Sequence, residues 1–306
     1  MSQLLLFHRD FRFYTGGHGT AWNYFEHADA HPDWVARAYL TPASVACGNP
    51  WCQVPAQVEM RWQPGGADAL FLGGTDWDAW PRDDPARPVI NLVQHVRHAD
   101  PTLPLRRHLS RRAVRICVGS PVADAILATG EVNGPVLVIP AALDLAPAPI
   151  TAGRHQGIFI DALKQPGLGQ ALLARLRSQG RDANLIIARQ PRADYLAQLA
   201  AASIAVMLPH ESEGFYLPAL EAMALGCAVV VPDCVGNRAY LEPGRNALVP
   251  GFEVDALAAA ILRLDDSALS GKLVAAGADT ASRFDLRGER AAFHAVLDDL
   301  DALWRS

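Results

Sequence analysis

The segment from Ser203 to Pro232 constrains the fold of this chain more than any other. It consists of an apolar stretch, a polar turn, a loop containing a glycine, a helical pattern and a second apolar stretch. Glu213 and Glu221 stand eight positions apart and bracket Gly214 and the predicted start of the helix. A strand, a loop, a helix and a strand in this order are how an α/β domain builds an anion site at the carboxyl end of a parallel sheet.

The details of this segment indicate the shape of the ligand. Pro218 suits the first turn of a helix, where its missing N–H costs nothing. The backbone N–H groups of about residues 214–217 are then expected to face a phosphate. Glu221 lies in the helix, roughly 5–8 Å further along, and Glu213 stays in the loop. A ligand with a central diphosphate and a hydroxyl-bearing group at each end fits this layout, and a nucleotide sugar is such a ligand.

The wider segment 207–249 resembles the donor-binding signature of the GT-B fold, family 4-type retaining glycosyltransferases (glycosyl transferases group 1). The signature is an acidic residue, seven others and a second acidic residue. Here it is carried by the run from Glu213 to Gly226, followed by Val229 to Pro232, Gly236 and the turn Gly244 to Val249.

The resemblance assigns roles to these residues. It implies that Glu221 binds the ribose hydroxyls and that Glu213 contacts the donor sugar. It also implies that the backbone after Glu213 holds the diphosphate, which predicts four donor-binding residues: Gly214, Phe215, Tyr216 and Leu217. The alternative is that Glu213 caps the helix and that Glu221 is an ordinary solvated helix residue.

Composition favours an enzyme of the cytoplasm. The chain has 306 residues, enough for two domains, and 50% of them are apolar without a run of about 20 that would span a membrane. A formal net charge of −5 argues against a nucleic-acid partner. The first residues are expected to form a β-strand rather than a signal peptide. The five cysteines show no metal-ligand spacing and are expected to be reduced thiols.

Strands and helices alternate along the whole chain, which predicts parallel sheets covered on both faces. The predicted strands of a first unit are 4–7, 68–72, 89–93, 114–118 and 136–139, and its helices are 20–30, 103–112 and 121–129. The predicted strands of a second unit are 156–160, 184–188, 203–207 and 227–231, and its helices are 168–179, 193–201, 216–225 and 254–264.

The Pro- and Ala-rich stretch 140–149 is expected to be a linker. We therefore predict an N-terminal acceptor-side domain at 1–145 and a C-terminal nucleotide-sugar domain at 150–285. The amphipathic tail, about 286–306, is expected to be one helix that packs back on the first domain. The predicted fold is α/β, with two facing Rossmann-like domains (GT-B), a cleft between them and a C-terminal crossover helix.

Two loops of the first domain carry candidate residues. Gly16 and Gly17 lie in a glycine-rich turn that leads into a helix, and the resemblance implies that they lie near the donor phosphate or the acceptor. His95, Arg97 and His98 follow an apolar strand, where α/β folds place functional polar residues. The resemblance implies a histidine here that approaches the reacting groups, without deciding between the two, and Arg97 is predicted to neutralise a phosphate. The alternative is a loop held by local hydrogen bonds.

The chain departs from the family pattern in two places. The family has a Gly-Arg pair and a nearby lysine after the first strand of the second domain, whereas this chain has Asp161 and Ala162 there. Lys164 is two residues from the expected position, and Arg189 or Arg192 are substitutes for the missing cation. Tyr216 replaces a glycine, and its side chain is expected either to crowd the sugar or to stack on it.

Two further patterns suggest partners of other kinds. Asp76 and Asp78 have the Asp-x-Asp spacing of a metal site, but the resembled fold generally needs no bound metal, so we predict none and no cofactor besides the nucleotide-sugar co-substrate. Arg107, Arg111 and Arg115 share one face if a helix reaches that far, and such a patch predicts peripheral contact with the inner membrane face. The alternative is a solvated helix face.

The leading hypothesis is a metal-independent retaining glycosyltransferase of polysaccharide biosynthesis that moves a sugar to a glycan or lipid-linked acceptor hydroxyl. Glu213, His95, His98 and Lys164 are its predicted catalytic residues. Two alternatives remain open. One is a catalytically silent GT-B-like partner protein that binds a nucleotide or glycan, and the other is a nucleotide-sugar epimerase.

Overall fold

The computed structural model describes residues 2–80, 84, 86–145 and 156–306. The chain divides into two compact units. The first comprises Met1–Ala142 and Leu286–Ser306, and the second comprises Leu143–Asp285. The predicted start of the second domain, residue 150, and most of the predicted linker lie outside the described residues.

The first unit is built on a parallel sheet of seven strands in the order β3-β2-β1-β4-β5-β6-β7. Its strands are β1 Gln3–Arg9, β2 Trp34–Leu40, β3 Val58–Glu59, β4 Ala69–Gly73, β5 Val89–Val93, β6 Val114–Cys117 and β7 Val136–Val138. Helices α1 Gly16–Asp29 and α2 Ser120–Leu127 connect strands of this sheet. Strands β4 and β5 are buried along their whole length, as expected for a parallel sheet covered on both faces.

The second unit has a parallel sheet of four strands in the order β11-β10-β8-β9. Its strands are β8 Ile158–Asp161, β9 Asn184–Ile186, β10 Ile204–Met207 and β11 Ala228–Val230. Its helices are α3 Pro166–Ser178, α4 Arg192–Ala201, α5 Leu217–Ala224, α6 Val254–Arg263 and α7 Ser267–Ala281. Buried apolar side chains line both faces of the sheet. Helix α7 and strands β2 and β3 were not predicted.

The C-terminal tail belongs to the first unit and forms two helices, α8 Leu286–Asp298 and α9 Leu300–Arg305. The prediction of one continuous helix was therefore wrong, because the helix is interrupted at Asp299. Helix α8 packs on α1: His27 Nε2 lies 3.0 Å from Glu289 Oε2, and the rings of Tyr24 and Phe293 meet edge to face at 4.8 Å. No helix among the described residues is long and apolar enough to cross a bilayer.

The predicted helix at 103–112 was also wrong. Only Pro104–His108 forms a short 3-10 turn, and Arg115 lies in β6 with its side chain fully buried. The Arg115 guanidinium donates to the carbonyl oxygens of residues 108, 109, 111, 113 and 133, at 2.5–3.4 Å. Three of these carbonyls, at residues 108, 109 and 111, are ones that a longer helix would have paired with its own N–H groups.

The arginine face predicted for membrane contact consequently does not form. Arg115 is inside the first unit, and Arg111 stacks on the ring of Trp77 with its guanidinium carbon 4.7 Å from the centroid. Arg107 is exposed and pairs with Asp78 at 2.6 Å. Burial lowers the pKa of Arg115 to about 10, so this side chain remains a cation at neutral pH.

Replacing Arg115 by leucine removes the guanidinium hydrogen bonds to these five carbonyls, although those of residues 108, 109 and 133 keep a backbone N–H donor, and we expect the free energy of unfolding to fall by about 2–3 kcal/mol. Urea denaturation followed by circular dichroism measures this change. Arg107→Ala is the matched control, because surface pairs contribute only about 0–1 kcal/mol. Equal stability of the two variants would contradict the role assigned to Arg115.

Candidate functional site

The two predicted carboxylates lie at the carboxyl edge of the second sheet. Glu213 is in the loop between β10 and α5, and Glu221 is in the second turn of α5. Strand β10 pairs in parallel with β8, so the loops that follow the two strands leave the sheet at the same edge. Lys164, which follows β8, reaches Glu213 with its Nζ 2.9 Å from Oε1. The structure thus brings together two residues that are 49 positions apart in the sequence.

The Glu213 loop is held in place by tight packing. A Cβ added to Gly236 would lie 2.7 Å from the backbone nitrogen of Phe215 and 2.9 Å from the carbonyl oxygen of Glu213. The Tyr240 hydroxyl donates to the Tyr216 carbonyl oxygen at 2.6 Å. The Phe215 ring packs on Tyr240, with centroids 5.6 Å apart. These contacts fix the path of the loop before any ligand binds.

The N–H groups of this loop are only partly available. That of Tyr216 donates to the Gly236 carbonyl at 3.4 Å, and that of Leu217 to the Phe215 carbonyl at 3.2 Å. Within the described part of the chain, the N–H groups of Gly214 and Phe215 have no acceptor. The donor set expected at 214–217 is therefore reduced to two groups. The Tyr216 side chain is buried and packs in the apolar core of the second unit.

Glu221 is not a solvated helix residue. Its side chain is 7% exposed and accepts two hydrogen bonds from Arg192, at 2.6 and 3.0 Å. Arg192 begins α4 and also donates to the Asp144 carbonyl at 3.2 Å. A bidentate arginine both neutralises a buried carboxylate and fixes its orientation. The sequence identified Arg192 only as a substitute cation, since nothing local in the sequence reveals this pairing.

Asp161 adds a third carboxylate to this edge of the sheet. It ends β8, accepts from the Tyr195 hydroxyl at 2.8 Å and from the Leu163 N–H at 3.1 Å, and is almost fully buried. Burial raises the pKa of Asp161 above its ordinary value of 3.8, and the two hydrogen bonds offset only part of that effect. Arg189, which was predicted as a substitute cation, follows β9 and is exposed.

The glycine-rich turn of the first unit is part of helix α1. Gly16 and Gly17 form its first turn, capped by the Thr15 side chain. Gln94, which follows β5, donates to the Gly17 carbonyl at 3.1 Å, and a Cβ on Gly17 would lie 3.0 Å from the Gln94 side chain. The loops after β1 and β5 therefore pack against each other at this helix start.

The two candidate histidines differ in accessibility. His95 is half-buried, and its Nδ1 accepts from the Arg97 N–H at 3.0 Å. His98 is buried, and burial together with the positive groups around it lowers its pKa to about 4. His98 is therefore neutral and enclosed at physiological pH, which argues against contact with a substrate. Arg97 is exposed beside them.

The Asp76 and Asp78 carboxylates contact different partners. Asp76 is buried, with Oδ1 3.0 Å from His8 Nδ1 and Oδ2 2.8 Å from an Arg9 nitrogen. Asp78 pairs with Arg107 and lies near His108. The described residues contain no group of three or more His, Cys, Asp or Glu side chains that would hold a metal ion.

Gly236→Ala is expected to reduce the free energy of unfolding by about 1–3 kcal/mol, because its Cβ overlaps the backbone of the Glu213 loop. Gly167→Ala is the matched control, since that glycine is in α3 with open space around it, and we expect no loss there. Chemical denaturation of both variants measures the difference. A neutral Gly236→Ala would show that the loop relaxes freely.

Asp161 makes stability depend on pH. Because the folded protein holds the proton of this carboxyl more tightly than the unfolded chain, the stabilising contribution is complete below pH 3.8 and is lost as the pH rises through the raised pKa. Asp161→Asn removes the buried charge. Relative to the wild type, we expect the variant to gain stability as the pH rises above about 4. Exposed Asp279→Asn is the control, and the same pH trend there would refute the interpretation.

Part of the chain is similar to a known protein family. Residues 164–266 match the family model of glycosyl transferases group 1. No curated protein sequence is detectably similar to the chain.

Several solved structures share the fold. Sucrose-phosphate synthase from Thermosynechococcus elongatus is 14% identical, with a TM-score of 0.71 over 98% of this chain and 99% of that one. Anabaena HepE in complex with UDP-glucose is 16% identical, with a TM-score of 0.76 over 97% and 100%. A putative UDP-N-acetylglucosamine 2-epimerase from Listeria monocytogenes is 11% identical, with a TM-score of 0.64 over 99% and 97%. The chain has the GT-B fold, and its residues 164–266 are similar to the glycosyl transferases group 1 family.

Proposed function

We propose that the protein transfers a sugar from a nucleotide-sugar donor to a hydroxyl of a glycan or lipid-linked acceptor, with retention at the anomeric carbon and without a metal ion. The observation that carries this proposal is the Lys164–Glu213 pair in a segment similar to the glycosyl transferases group 1 family. It places a cation beside the loop that would hold the diphosphate. A departing nucleoside diphosphate needs such a charge in the transition state.

The residues around this pair are proposed to bind different parts of the donor. The available N–H groups of Gly214 and Phe215 bind diphosphate oxygens at the start of α5, where the helix dipole favours negative charge. Glu213 accepts hydrogen bonds from hydroxyls of the donor sugar. Lys164 shifts from Glu213 to the phosphate as negative charge develops there, since its side chain is 46% exposed and has room to move.

Glu221 is proposed to bind the ribose. A carboxylate has about four acceptor positions, and Arg192 occupies two of them, so two remain for ribose hydroxyls. Arg192 then orients Glu221 and supplies positive charge near the nucleotide. The HepE complex contains UDP-glucose, which supports UDP-sugars as the first donors to test.

A second candidate is a nucleotide- or glycan-binding partner protein without turnover. Two observations favour it: Glu221 is already neutralised by Arg192, and Asp161 stands where the resembled family has a phosphate-binding Gly-Arg pair. An epimerase is the third candidate, since the Listeria structure has the same fold. Transfer to an acceptor, isomerisation without one, and binding alone distinguish the three.

Lys164→Ala is expected to weaken donor binding about tenfold, since it removes a charge-assisted contact with the diphosphate. Thermal unfolding with UDP, GDP, dTDP, ADP, CMP and their sugar conjugates measures this effect. Ligand at ~100 times its dissociation constant stabilises the wild type by ~2.7 kcal/mol. Lys272→Ala is the matched control, because Lys272 is the other lysine of the chain and lies exposed on α7. Glu221→Ala should abolish the stabilisation of the protein by the nucleotide.

Transfer itself is followed with the donor that binds and a panel of glycan and lipid-linked acceptors. The anomeric configuration of the product, read by NMR, tests retention, and unchanged activity in EDTA tests metal independence. A nucleotide shift without transfer or isomerisation would favour the binding protein. Absence of any shift would contradict a nucleotide site altogether.

A further inference from the structure

A cluster of side chains in the first unit lies at the position in the sheet where ligands bind most often. Strand β1 has β2 on one side and β4 on the other, so the strand order reverses at β1. In doubly wound sheets a crevice opens outside the carboxyl ends of the strands at such a reversal. His8 and Arg9 end β1, and Asp76 is in the turn that follows β4.

His8 and Asp76 form an oriented pair. His8 Nδ1 lies 3.0 Å from one carboxylate oxygen of Asp76, and the other oxygen accepts from Arg9 at 2.8 Å and from the Gly73 N–H at 3.0 Å. A carboxylate placed against one ring nitrogen fixes the proton on that nitrogen. In the neutral imidazole the second nitrogen, Nε2, then carries a lone pair. Within the described part of the chain Nε2 has no hydrogen-bond partner.

Two aromatic side chains border the same imidazole. The Trp62 ring meets His8 edge to face, with centroids 4.9 Å apart, and the Tyr39 ring lies 5.5 Å away. Trp62 is anchored because its indole N–H donates to the Ala79 carbonyl at 2.8 Å. Both aromatic side chains are partly exposed, and the Tyr39 hydroxyl has no hydrogen-bond partner among the described residues.

The charges at this cluster balance. The Asp76 carboxylate is paired with the Arg9 guanidinium, and His18, which contacts Arg9 at 3.0 Å, is neutral because burial lowers its pKa to about 4. A balanced site does not attract an anion such as a phosphate. Aromatic faces combined with one oriented acceptor and one hydroxyl instead suit a neutral ring that carries several hydroxyl groups.

We propose that His8, Tyr39 and Trp62, with Asp76 behind His8, form a binding site for a saccharide ring in which His8 Nε2 accepts a hydrogen bond from a sugar hydroxyl. The inference rests on the proposed function, because it gives the acceptor a place on the first unit. Asp76 is a positioning residue, since it acts through His8. The purely structural alternative is that the same contacts only close the end of β1.

Saccharide binding tests this proposal without a nucleotide. The probes are methyl α- and β-glycosides of glucose, galactose, mannose and N-acetylglucosamine, together with short oligosaccharides, titrated by saturation-transfer NMR on the full chain. We expect binding by the wild type and a dissociation constant about tenfold higher in His8→Ala and in Trp62→Ala. Tyr39→Phe should weaken binding by a smaller factor, since it removes one hydroxyl and keeps the ring.

The chain supplies a matched control for the histidine. His31 forms a second His–Asp pair, with Asp298 at 3.2 Å, just after the C-terminal end of α1. His31→Ala should leave saccharide binding unchanged. His8→Gln keeps a polar side chain beside Asp76, so it serves as the second variant if His8→Ala unfolds, and circular dichroism verifies folding of each variant.

The outcomes separate the two proposals. Nucleotide-induced stabilisation should persist in the His8 and Trp62 variants, because Lys164, Phe215 and Glu221, to which nucleotide binding is assigned above, lie in the second unit. Saccharide binding that is equal in the folded His8 variants and the wild type overturns the inference, as does absence of binding to every probe. Loss of the nucleotide shift in the wild type would count against the proposed function instead, whatever the saccharide result.

Discussion

Parallel strand pairing is the constraint on which the candidate sites depend. Each sheet pairs its described strands in parallel, so all loops after the strands of one sheet leave from the same edge. The register of β8 and β10 aligns Asp161 with Met207, and the following loops then bring Lys164 to Glu213. A shift of register by one residue would turn the buried side of each strand toward the opposite face. The hydrophobic core therefore determines which polar residues meet.

Burial of charge at these edges is offset by specific partners. Glu221 is paired with a bidentate arginine, Glu213 with a lysine, and Asp76 with Arg9 and His8. Asp161 differs, because its hydrogen-bond donors are neutral and its pKa is raised. Asp161 thus places a carboxyl at the position where the resembled family has its Gly-Arg pair. The electrostatics of the second unit therefore depend on the protonation of Asp161 as well as on Lys164.

The sequence predicted what is local and periodic. The buried strands of both sheets and the helices α3 to α6 follow from apolar runs and their periodicity, and Pro218 located the start of α5. It did not reveal β2, whose burial alternates with exposure, or the course of the chain between Pro104 and β6. Arg115 has the spacing of an exposed helical arginine, but its side chain binds carbonyl oxygens inside the fold. Only the tertiary structure supplies those acceptors.

The pairing of polar residues was harder to predict for the same reason. His8 is the next-to-last residue of an apolar strand, and by itself it has no motif; it becomes a candidate only because β4 is the neighbour of β1 and places Asp76 beside it. Likewise, Arg192 is unremarkable in sequence, yet it determines how Glu221 presents its remaining lone pairs. In both units the candidate residue is oriented by a side chain from a distant part of the sequence. A family signature therefore locates a site, whereas its chemistry follows from neighbours that sequence spacing does not encode.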